Sequence, residues 1–146
     1  MIEGAGAGST IIDASGIDRA FHVLTGVTAV FRNLSIRGGV ARDDGQFGSN
    51  ATERDSIGGA ILSIGGNVDL TGVEFSNNTA FGTNNSSGDG YRGIGGAVAI
   101  YSASLFVTDS SFTNNLARAG DGATGASGSG IGVGIAGFSA GSSSGL

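Results

Sequence analysis

The chain has no cysteine, no proline, no tryptophan and no lysine. Without cysteine neither a disulfide nor a thiolate-held metal can operate, and cysteine usage says nothing about the redox compartment. Without proline every backbone N–H stays available to a ladder, which favours continuous sheet. Seven arginines face twelve carboxylates, for a net charge of −5. That balance supplies no positive stripe, so nucleic acid is not expected as a partner. No apolar run reaches the roughly 18 residues of a spanning helix, and no basic-then-apolar leader is visible. We therefore expect no membrane span, in a chain that is either mature or cut from something longer.

What is present is 146 residues, 39% apolar, with 30 glycines. This is one domain's worth of chain with enough apolar material for a core. The glycines lack the G-X-Y period, which excludes collagen.

The organising stretch is Ile57 to Ala80, IGGAILSIGGNVDLTGVEFSNNTA, which recurs 37 residues later as IGGAVAIYSASLFVTDSSFTNNLA, Ile94 to Ala117. Nine of the 24 positions are identical, among them Gly58/Gly95, Phe75/Phe112, Asn77/Asn114 and Asn78/Asn115. Five others exchange one apolar residue for another, as in Ile61/Val98, Val68/Leu105 and Leu70/Val107. A fixed period of this size signals a stacked repeat architecture. A further step of 37 reaches Ile131 to Gly137, the start of an incomplete copy. Backwards, Ala29 to Ile36 aligns with Val68 to Phe75 at an offset of 39, which puts two extra residues in the intervening loop. Ser9 to Asp13 supplies one strand of a preceding unit.

Val68 to Phe75 and Leu105 to Phe112 alternate apolar and polar residues with a one-residue shift at Gly72 and Asp109, so each reads as strand, bend, strand. The strands after Gly58-Gly59 and Gly95-Gly96 are apolar on both faces, which leaves their phase open. No segment carries a sustained 3.6-residue period with caps. The fold expected is all-β: a right-handed parallel β-helix, a solenoid of about four to five turns, whose strands pair with their equivalents about 4.8 Å above and below. It is one domain, 1–146, with repeat cores 18–41, 57–80 and 94–117, a partial core 131–146, and loops 42–56, 81–93 and 118–130 inserted at one corner.

Stacking in register places Ile36, Phe75 and Phe112 in one internal column and Phe31, Leu70 and Val107 in another. Asn77 over Asn114 and Asn78 over Asn115 would form amide ladders at a corner, since asparagine tolerates left-handed backbone angles and can bond along the stack. These asparagines read as structural rather than as binding residues.

Gly8 to Val23 (GSTIIDASGIDRAFHV), Val30 to Ala41 (VFRNLSIRGGVA) and the paired GGA…F(S/T)NN.A units resemble the right-handed β-helix repeats of bacterial surface and secreted proteins, including the polymorphic outer-membrane type with GGAI and FxxN motifs. The resemblance covers roughly residues 8 to 137. It implies an extracellular or cell-surface location in a bacterium. The scaffold carries adhesins, passenger domains, fibres and polysaccharide-degrading enzymes alike, so it specifies fold more than function. Such solenoids commonly run to many more turns with a cap at the N-terminal end, and no cap is found here.

The three loops should project in a stacked row, where a rigid ladder would carry function. Asp44, Asp89 and Asp121, each followed by glycine, are the candidates for Ca²⁺, which takes six to eight oxygen ligands. None has calcium-loop spacing and Asp-Gly is first a turn signal, so no metal or cofactor is expected. For catalysis the candidates are Asp43, Asp44, Glu53 and Asp55 with Arg42 and Arg54, and the strand residues Asp69, Glu74 and Asp109. Because Asp69 aligns with Phe106 and Glu74 with Ser111, no carboxylate recurs in register to build the pair that glycoside cleavage needs. The lone His22 has no nucleophile at a recognisable spacing. The N-x-[ST] triplets at Asn33, Asn50, Asn77, Asn84 and Asn85 are what an Asn- and Ser-rich repeat produces by chance.

The ends remain. Terminal turns of a β-helix expose unpaired backbone and apolar columns that invite pairing with another copy. Ile2 and Ile11 at one end, and Ile131, Val133, Ile135 and Phe138 at the other, are the candidate assembly residues, with the Gly/Ser tail expected to pack on something. The function expected is a non-catalytic extracellular structural module, a homo-oligomer stacked head to tail into a fibre or surface layer. The alternative is a carbohydrate-binding or polysaccharide-cleaving domain, or an adhesin segment, of a larger secreted protein. Tyr91 and Tyr101 are then the candidates for stacking on a glycan.

Overall fold

The computed structural model describes residues 1–45, 55–123 and 128–138. Among these every regular element is a strand. The chain begins with β1 (Ile2–Glu3) and β2 (Ile11–Asp13), and a first pass gives β3 (Phe21–Val23), β4 (Thr28–Arg37) and β5 (Val40–Ala41). A second pass gives β6 (Ser56–Ile57), β7 (Ile61–Ile64), β8 (Asn67–Ser76) and β9 (Thr79–Phe81). The third gives β10 (Gly93–Ile94), β11 (Val98–Tyr101), β12 (Leu105–Thr108), β13 (Ser111–Thr113) and β14 (Leu116–Arg118), and β15 (Gly130–Ile131) and β16 (Ile135–Phe138) follow.

These strands form four separate sheets, and each pass of the chain visits them in the same order. A long sheet runs β1-β4-β8-β12, with β2 also on β4 and β13 also on β8. The others run β3-β7-β11-β16, β5-β9-β14 and β6-β10-β15. All pairings between named strands are parallel. Gly93, Val98, Leu105 and Leu116 pair with Ser56, Ile61, Val68 and Thr79, always a step of 37. From the first pass to the second the step is 40 at Phe21↔Ile61 and 39 at Phe31↔Leu70 and Val40↔Thr79. One extra residue therefore lies between β3 and β4, and the other two lie after β5.

The phase shift inside the long strands has a local cause. Gly72 has φ +62°, and Asp109, 37 residues on, has φ +48°. One left-handed residue turns the next side chain onto the same face, so Val68 and Leu70 before it and Val73 and Phe75 after it are all fully buried. With glycine the strand continues as β8. Asn33, at the same position of β4, takes φ +50° and that strand also continues, whereas at Asp109 pairing lapses between β12 and β13.

The strands with two apolar faces are explained by two cores. Ile61 and Val98 point into a cluster with Phe31, Leu34, Ile36, Val68, Leu70, Val73 and Phe75. Their neighbours Leu62 and Ala99 point the other way, into a second cluster with Ile57, Ile94 and Ala136. The β7 and β11 positions therefore have no solvent face.

Candidate functional site

The columns inside the larger core are continuous. Ile36, Phe75 and Phe112 are register partners, and the Phe75 and Phe112 rings stack at 4.9 Å with 2° between planes. Phe31, Leu70 and Val107 form the adjoining column. Burial falls abruptly at its end: Leu70 is fully buried, whereas Val107 is 41% exposed. Phe75 is likewise buried, and Phe112 only half-buried.

The corner asparagines divide their work. Asn78 is buried, and its Nδ2 donates to Asn115 Oδ1 at 3.0 Å and to the Ile36 carbonyl at 3.1 Å. Its Oδ1 accepts from the Gly39 N–H at 2.9 Å, and Asn115 Nδ2 donates to the Phe75 carbonyl at 3.0 Å. Asn77 and Asn114 instead take φ values of +55° and +53° on the exposed side. Their side chains make no hydrogen bond among the described residues, and this rung is held by the Asn77 N–H donating to the Thr113 carbonyl. The expected ladder of Asn77 over Asn114 is thus a backbone turn, because the chain must reverse phase before Asn78 can point inward.

Where they are described, the second and third loops lie on one another. The Asn85 N–H donates to the Asp121 carbonyl and the Gly120 N–H to the Tyr91 carbonyl, at 2.8 and 2.9 Å. At Gly82, Gly90 and Gly120 an added Cβ would collide with backbone of the neighbouring segment. Sequence reasoning missed this packing, whose only signal was glycine inside polar stretches that read as turns.

That packing also offsets two of the candidate calcium aspartates, Asp89 and Asp121. Asn85 bridges Gly122, and the Asp121 N–H donates to Asn84 Oδ1, so Asp121 stacks on Asn84 and not on Asp89. No group of three or more potential metal ligands occurs among the described residues.

Other candidate carboxylates are engaged singly. Asp43 Oδ1 accepts from Arg19 Nη2 at 2.6 Å and from the Gly45 N–H at 2.8 Å. Asp55 takes two bonds from the Arg92 guanidinium, at 2.6 and 2.9 Å, and one from its backbone N–H. This pairing holds the Arg92 proton more tightly than usual. Arg37 Nε bonds Asp13 at 2.8 Å, and the Asp13 carboxyl lies below the ordinary range, first through the Ser15 N–H and then through Arg37. Asp69 and Glu74 pair in register with Phe106 and Ser111. Glu53 and Arg54 lie outside the described residues, as does the tail, 139–146.

Tyr101 stacks on Phe138 at 4.9 Å beside the second core, and burial pushes its phenol up. Tyr91 joins the loop stack through its backbone carbonyl, and the residue is half-buried. His22 pairs in register with Leu62 and lies beside Gly45. Its outer surface is exposed, yet burial of the inner edge, and then Arg19, lower its pKa, with Asp43 opposing.

The edges of the sheets are the remaining feature. Within the described residues β1 and β2, β3, β5 and β6 bound the four sheets on one side, and β12 and β13, β16, β14 and β15 on the other. The first edge carries exposed Ile2 and Ile11, with a cavity of about 350 Å³ between β1, β3 and β4 lined by Ile2, Phe21, Leu24, Val27 and Phe31. The second carries exposed Val107, Leu116, Val133 and Ile135, with Ile131 and Phe138 half-buried. At the first edge the Asp18 and Asp43 carbonyls already take the Val40 and Ile57 N–H groups of β5 and β6, so it is β1, β2 and β3, and the strands of the second edge, that set outer-strand backbone in line with apolar side chains, an arrangement suited to strand addition. Compared with family models, with curated proteins and with solved structures, the chain matches none of them.

Proposed function

We propose that the chain is a right-handed parallel β-helix of the type borne by bacterial surface and secreted proteins, and that it is a non-catalytic structural module. It acts outside the cell, adding further copies at its open edges to build a fibre or surface layer. One observation carries this reading: in all four sheets equivalent positions of successive passes pair in parallel, and the columns they build stay apolar up to the edge. From Leu70 to Val107 the side chain remains apolar while its cover disappears. Exposed apolar residues in line with unpaired N–H and C=O groups are a liability unless something covers them.

The test is electron microscopy of the purified chain over a concentration series, with sedimentation in parallel. Unbranched threads that lengthen with concentration are the expected result. Monodisperse monomers at every concentration would overturn it. A glycan array run on those monomers would then test the carbohydrate alternative at Tyr101, which lies beside the Asp55–Arg92 pair.

A further inference from the structure

Each full pass visits the sheets in one order: the β6 sheet, the β7 sheet, the long sheet, the β9 sheet. The last described pass contains β15 and β16, the first two members of that order. The first strands, β1 and β2, both belong to the long sheet, the third member, and precede β3, which opens the next pass. Among the described residues one edge thus carries the first two members of a pass and the other the third, after which Gly16 and Asp18 bond to Gly38 and Val40 at the β5 corner.

Resting on the end-to-end reading above, we propose that two copies share one composite pass, in which β15 and β16 of one copy are completed by β1 and β2 of the next. At this junction β1 pairs with β12, β2 with β13 and β3 with β16. The existing register fixes which residues meet. Ile2 follows the Phe31-Leu70-Val107 column, so it seats on Val107 of the neighbouring copy. Ile12 follows Ile36, Phe75 and Phe112, and Phe21 follows Ile61, Val98 and Ile135. Apolar meets apolar in all three columns. On the outer face Glu3 comes opposite Thr108 and Asp13 opposite Thr113, so the junction brings no like charges together.

The geometry makes two measurements possible. A shared pass means that each copy advances a filament by four strand spacings, about 19 Å, whereas ends that complete their passes separately would give five, about 24 Å. The absence of native cysteine also allows clean crosslinking. In-register neighbours on parallel strands lie within disulfide reach. Glu3→Cys with Thr108→Cys, and Ile11→Cys with Ser111→Cys, mark two points of the same register, all four on exposed positions. After oxidation of the full chain, each double variant should run as a ladder of dimers, trimers and higher species, while each single variant stays monomeric. Circular dichroism on the reduced variants checks that they fold. Threads with no ladder, with dimers from the single variants, or with a 24 Å repeat would overturn the shared pass and leave end-to-end assembly standing. Monomers without threads or crosslinks would overturn both.

Discussion

Asn78 lies between two neighbours of its own kind of corner: its Nδ2 reaches Asn115 Oδ1 one pass on, while its Oδ1 holds the Gly39 N–H one pass back. Every polar atom of this buried amide is satisfied, and each of its bonds crosses a pass. Buried polar groups are costly when a partner is removed, at about 1–3 kcal/mol for each group left unmet.

Asn78→Ala would strand the Gly39 N–H, the Ile36 carbonyl and part of Asn115 at once. We expect a loss of about 3 kcal/mol or more in urea unfolding. Asn77→Gly should be close to neutral, because glycine accepts the left-handed angle that Asn77 holds. Equal effects at the two positions would contradict the division between ladder and turn.

Phe75 and Phe112 share a column but not its depth. Phe75→Ala should cost about 3–5 kcal/mol, as for a fully buried phenylalanine, and Phe112→Ala distinctly less in the monomer. Phe75→Asp should fail to fold, since an unpaired charge would be buried. Asp89→Asn should be nearly silent. A stable Phe75→Asp protein, by circular dichroism and thermal melting, would refute the register.

Glycine at position 59 is set by contact: an added Cβ would strike the Gly96 carbonyl and the Thr79 backbone. Gly59→Ala should therefore lower the melting temperature sharply. Gly8, which has open space around it, should accept alanine with little change. Differential scanning fluorimetry of the two variants distinguishes them.

His22 provides a pH dependence. Burial of its inner edge and the nearby Arg19 lower its pKa in the folded protein below the ordinary value of 6.5. The unfolded chain then binds more protons in the interval between the two values, so stability falls as pH drops through 6.5 and levels off below the folded value. Above 6.5 the contribution is complete. Melting temperatures between pH 5 and 8 should show this slope in the native chain and lose it in His22→Gln.

The period was legible because a parallel stack places like over like, so residues 37 apart face the same neighbours and keep the same chemistry. Phe75 and Phe112, or Ala80 and Ala117, carry that signal directly. The roles of Asn77 and Asn78 were not legible, since both recur equally and only the backbone angle decides which one turns and which one bonds. The two-faced strands were ambiguous for a different reason. Leu62 is covered by a second cluster in which Ile57 belongs to another sheet, and a strand's own pattern cannot announce that. The loop packing stayed hidden because its bonds run mainly through backbone groups, which every sequence possesses. The candidate edge residues were chosen for apolarity, but the half-pass at each edge is a matter of topology.

The step of 37 to 40 residues between successive passes also governs how such a molecule must come into being. Almost nothing in it is decided locally: a strand has no partner until a whole circuit of chain has been laid down. The first closure therefore carries a large entropic penalty with little in return, and folding through such distant pairings is slow. Every later circuit meets a finished surface and closes a loop of similar length onto it. If copies add end to end as proposed, growth should then be nucleated, with a lag that shortens when preformed ends are supplied.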